Sequence, residues 1–143
     1  MRVNKARLVY LIFSVAALSV GFLCYYLFRD TSNFIFFQIF DINITHGYII
    51  KLPDNFISYF LKYNLCDGLW LLSGILFFRF IWYNNPDTGK YYIIVFTGIA
   101  LLHQFLQKFD FIPGTFDIMD ILTMVVFALS EQYIYFRIKK RRK

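Results

Sequence analysis

Charge is scarce in this 143-residue chain: Asp, Glu, Lys and Arg together make up 17% of it, against about 25% in ordinary soluble domains. Cysteine is scarcer still. Cys24 and Cys66 are too few for a disulfide framework or a zinc pattern; both would fall near one end of the arrangement derived below, which leaves a bridge between them open. There is no internal repeat, no low-complexity segment and nothing resembling H-E-x-x-H, so no metal and no cofactor is expected. The three prolines, Pro53, Pro86 and Pro113, punctuate the chain at its polar interruptions.

What is abundant is apolar surface. Hydrophobic residues make up 59% of the chain and aromatics 22%. A chain long enough for only one compact domain has too little interior to hide that much, so the bilayer is its expected solvent. The net charge of +6 does not point to nucleic acid, because a polar docking surface is missing. Much of the excess lies in Arg137, Lys139, Lys140, Arg141, Arg142 and Lys143, directly behind an apolar run. There it reads as a stop-transfer anchor against anionic headgroups.

The spacing predicts an all-α, single-domain, polytopic membrane protein, a bundle of four transmembrane helices. The first span runs from Leu8 to Phe28 behind Arg2, Lys5 and Arg7; it exceeds a signal-peptide core and lacks a small-residue cleavage site. Residues 29–64 form an extracytoplasmic loop. Within it, Pro53 and Asp54 open a short interfacial helix with Phe56, Ile57, Phe60 and Leu61 on one face. The second span covers Leu65 to Tyr83, the third Tyr91 to Gln107, and the fourth Phe116 to Phe136, followed by the basic tail 137–143. Arg79 is expected to snorkel to headgroups.

Orientation follows from the basic residues. Arg2, Lys5, Arg7, Lys90 and the six in the tail, ten of the fifteen, share one side, which the positive-inside bias makes cytoplasmic for both termini.

Three polar clusters then meet at the opposite face: Cys66-Asp67-Gly68-Leu69-Trp70, His103-Gln104-Phe105-Leu106-Gln107, and Pro113 to Asp120. Polar groups beside hydrocarbon are costly and turn toward each other. The candidate site is therefore an acidic pocket of Asp67, Trp70, His103, Gln104, Gln107, Thr115, Asp117 and Asp120. Simple capping competes with this reading. Asn64 could cap the second span with Asp67 in its first turn, and Thr115 with Asp117 could cap the fourth. Asp120 lies one turn deeper and needs another partner. Trp70 and Trp82 also fit an aromatic belt.

Asp67-Gly68-Leu69-Trp70, Gln104-Phe105-Leu106-Gln107 and Pro113-Gly114-Thr115-Phe116-Asp117 followed by Asp120 resemble the VanZ-like family of small bacterial membrane proteins. In that family an E-x-x-Q pair closes one helix and a G-x-F-D-x-x-D stretch opens the next. Gln107, Asp117 and Asp120 match, while Gln104 stands where Glu is usual and Ala128 is the nearest small residue to a deeper glycine. The resemblance implies the bacterial cytoplasmic membrane and a cell-envelope role, with some members linked to reduced sensitivity to glycopeptide antibiotics.

The leading expectation is non-enzymatic binding of a lipid headgroup or cell-wall precursor. A membrane enzyme using Asp117 or Asp120 as base on a lipid-linked substrate is the alternative, and Gln104 in place of Glu weakens it. A third reading is a structural subunit or homo-oligomer, in which Ala16-Ala17-Leu18-Ser19-Val20-Gly21 allows close approach to a partner helix. Ordinary packing within the bundle explains those small residues more simply.

Overall fold

A computed structural model describes residues 5–28, 53–112 and 116–141. The described residues are helical and contain no strand. Four helices are long and apolar enough to cross a membrane: α1 (Lys5–Phe28), α2 (Phe56–Ile81), α3 (Pro86–Lys108) and α4, which runs Ile118–Arg141. The expected loop between the first two spans lies outside the described residues except for its end.

That end differs from expectation. Asn55, in extended conformation, accepts the Ser58 N–H at 2.9 Å and caps α2. The helix then passes through a π-helical turn, Phe60–Asn64, where the Leu65 N–H reaches back to the Phe60 carbonyl. The segment expected to form a separate interfacial helix is thus the opening of α2. Phe56 and Ile57 are exposed on it. Asn64 consequently sits inside the helix and makes no side-chain capping bond, correcting its expected role: a residue one turn into a continuous helix has no free N–H to cap.

At the other turn, Asn85 caps α3 through the Thr88 N–H and Pro86 occupies its first turn, where the missing N–H costs nothing. The helix therefore begins before Tyr91. Asp110 closes it with φ +56, a left-handed conformation that Asp tolerates better than most residues. α4 continues to Arg141, so most of the basic tail is helical.

α2 is the hub, packed against all three other helices. Leu71 and Ile75 of α2, Ile93 of α3 and Met124 of α4 form the core, flanked by Phe78, Phe96, Ala100, Leu101 and Ala128. α1 lies along the opposite flank of α2 through small residues. Ser14, Ala17 and Gly21 are buried there, and the Ser14 hydroxyl donates to the Ser73 carbonyl at 2.9 Å. Ala16 and Ser19 of the same stretch are exposed. Gly68 lets α4 approach, since a Cβ there would lie 2.7 Å from Thr123 Cγ2 and 2.8 Å from Phe127 Cδ2.

The bundle also encloses a charge pair. Arg79, 5% exposed, gives Nε to Glu131 Oε1 at 3.0 Å and Nη2 to Oε2 at 3.3 Å. Its guanidinium carbon stands 3.7 Å over the Tyr135 ring. Snorkelling is therefore corrected. An arginine facing the bundle interior is satisfied by an acid on the neighbouring helix without reaching the surface.

Candidate functional site: carboxylates gathered where α2 and α4 begin

The first turn of α4 brings two carboxylates against the first turns of α2. Asp117 serves two purposes. Its Oδ1 accepts the Met119 N–H at 2.9 Å, the capping role weighed from the sequence. Its Oδ2 accepts the Tyr59 hydroxyl at 2.8 Å and the Asn64 amide at 3.3 Å. The same Asn64 amide donates to Asp120 Oδ1 at 2.7 Å. One fully buried amide thus joins both acids. Asp120 is 4% exposed and Asn64 0%, so these bonds lie out of bulk water, where hydrogen bonds to a charged acceptor are strongest.

The π turn makes this convergence geometrically available. Tyr59 and Asn64 are five residues apart, which on a regular α-helix separates their directions by ~140°. Bonding from residue i+5 back to i widens the turn and brings such a pair nearly into line. Both side chains can then meet Asp117.

Electrostatically, Asp117 is pulled two ways. Burial pushes its pKa upward, but the hydrogen bonds from the Met119 N–H, Tyr59 and Asn64 outweigh it and hold the carboxyl below its ordinary value of 3.8. Asp117 is therefore ionised at neutral pH. Asn64 Oδ1 is buried and has no hydrogen-bond partner among the described residues. This acceptor would be satisfied by an incoming N–H or O–H donor.

The other expected site residues distribute as follows. Asp67 is half-buried on the flank of α2 that carries Gly74 and Phe78, both packed on Phe96 of α3. Gln104 is 5% exposed on α3, and its Oε1 lacks a donor among the described residues. Gln107 is half-buried one turn further, and His103 is exposed. Trp70 packs its ring over Gly21 of α1, whose Cβ would fall 2.7 Å from Trp70 Cδ1. Thr115 lies outside the described residues.

Among the described residues no three His, Cys, Asp or Glu side chains gather as a metal cage. Cys24 and Cys66 do not form a disulfide.

Sequence reasoning missed Tyr59 and misassigned Asn64. The signal available for Asn64 was an amide at the polar end of an apolar run. Tyr59 offered none, because its role depends on the π turn. Glu131 was also overlooked, although an acid within an apolar helix calls for a partner and Arg79 was available. No family model matches the chain, and neither a curated protein nor a solved structure matches it.

Proposed function

We propose that this chain is a four-span integral protein of the bacterial cytoplasmic membrane, VanZ-like in character, with both termini cytoplasmic. In this reading its extracytoplasmic end binds the cationic or hydroxylated part of a lipid headgroup or cell-wall precursor. The observation that carries the reading is the meeting of Asp117 and Asp120 on Asn64. Two acids that share the Asn64 amide, beside a buried acceptor that lacks a donor among the described residues, favour a ligand bearing N–H or O–H groups. Four long apolar helices support membrane residence, and Lys5, Arg7, Lys90, Arg137, Lys139 and Lys140, at the end opposite the carboxylates, support the orientation.

Binding is favoured over catalysis. A carboxylate whose pKa is lowered by three hydrogen bonds is a weak general base near neutral pH, and Gln104 supplies no second acid.

The test expresses the chain in a glycopeptide-susceptible bacterium and measures growth with the antibiotic. Wild type is expected to lower susceptibility. Asp120→Asn and Asn64→Ala should abolish the effect at unchanged membrane abundance, and full activity in both would refute the pocket. Reporter fusions after Phe111 should read as extracytoplasmic, and fusions at the C-terminus as cytoplasmic. The reverse pattern would refute the orientation.

A further inference from the structure

α1 and α4 both rest on α2, and in the half of the bundle that holds Arg79 they diverge. Between them runs a cleft of about 670 Å³ with Leu72 and Leu76 as its floor, Val9 and Phe13 on one wall and Val126 and Ile134 on the other. At the end of the bundle a second cavity of about 320 Å³ opens, lined by Arg79, Trp82 and Lys139. The two share Tyr10, Tyr135 and Ile138 as walls, so they adjoin: a mainly apolar cleft, with Glu131 in its lining against Arg79, beside a basic, aromatic head.

We infer that the two cavities together bind one anionic phospholipid, with an acyl chain in the cleft and the phosphate against Lys139 and Arg79. Charge complementarity selects this occupant. Glu131 takes Nε and Nη2 of Arg79, and the same guanidinium lines the head cavity beside Lys139. Guanidinium donors in a fixed plane suit phosphate oxygens. Lys139 lies one turn beyond Tyr135 on α4 and adds a mobile ammonium. A parallel second copy would bring its own Arg7 and Lys139 to the same end, and like charges would repel it. The inference rests on membrane residence but not on the carboxylate pocket, because the two sites lie at opposite ends of α2.

The test reconstitutes the full chain in vesicles of equal phosphatidylglycerol and phosphatidylcholine, re-extracts it in mild detergent and quantifies retained lipid by mass spectrometry. Phosphatidylglycerol is expected to be retained preferentially. Lys139→Gln should reduce that preference about fivefold, as expected for one lost lysine–phosphate contact. Ser130→Phe, which adds bulk to the cleft wall without touching a charge, should abolish retention. Equal retention of the two lipids would overturn the inference, as would wild-type retention in both variants. A dimer that Ser130→Phe converts to monomer with lipid content unchanged would overturn it in favour of a second copy. If Ser130→Phe fails to fold by circular dichroism, Lys139→Gln decides alone. Membrane fractionation of wild type separates a failure of the lipid site from a failure of membrane residence.

Discussion

Two clusters containing buried ionisable groups lie among the described residues, one toward each end of α2, and they solve the same problem differently. Near one end Arg79 and Glu131 neutralise each other through two hydrogen bonds, with Tyr135 closing one face of the guanidinium. Near the other, the carboxylates of Asp117 and Asp120 meet on the amide of Asn64, and Tyr59 adds a phenol. The first arrangement is balanced within itself and fastens α2 to α4. The second joins two carboxyl groups through one amide and adds a phenol to Asp117, whose hydrogen bonds outweigh the cost of its burial. One end of α2 is tied to α4 by opposite charges, the other by an amide and a phenol shared with two acids.

The sharpest way to break this comparison is Glu131→Ala. It leaves a buried guanidinium uncompensated and should cost about 3–5 kcal/mol, read by denaturant titration in detergent micelles. Arg79→Met combined with Glu131→Leu should restore most of that loss, because a well-packed apolar pair replaces a buried ion pair at little cost. A double variant as unstable as Glu131→Ala would refute the balanced-pair reading.

At the carboxylate end, Asn64→Leu keeps the branched shape but removes the donor to both acids and should cost about 2–3 kcal/mol. Gly68→Val, beneath the same cluster, drives side-chain atoms into Thr123 and Phe127 and should cost about 2 kcal/mol through overpacking, measured as a lowered midpoint in thermal scans.

Tyr59→Phe should have the smallest effect, about 1 kcal/mol, and it tests the electrostatics. Asp117 has a folded-state pKa below its unfolded one, so its ionised form favours the fold. That contribution is complete above the ordinary value of 3.8 and is lost as pH falls through the depressed one. Acid titration of unfolding should therefore show a smaller loss in Tyr59→Phe than in wild type. An unchanged acid limb would mean that the phenol does not govern Asp117.

Much of this architecture was legible before any coordinates. Apolar runs of spanning length separated by Asn84-Asn85-Pro86 and Pro113-Gly114 marked the helices, because hydrocarbon length and turn chemistry are local properties. Asp117 and Asp120 were legible as a pair, since three-residue spacing puts them on one helical face. Trp70 was not legible as a helix contact. Its polar neighbours suggested the pocket, but the direction of its ring depends on where α1 lies. His103 is exposed for a similar reason: a position on α3 says nothing of which flank meets α2.

The sequence by itself determined four long apolar helices, the ends at which charge accumulates and the acids at the start of α4, all of which follow from composition and short-range periodicity. Only the tertiary structure decided that Asn64 turns inward to hold those acids, that Tyr59 joins it across a π turn, and that Arg79 finds Glu131. Those choices depend on contacts between residues more than fifty positions apart, and helical spacing cannot specify which face of one helix meets which face of another.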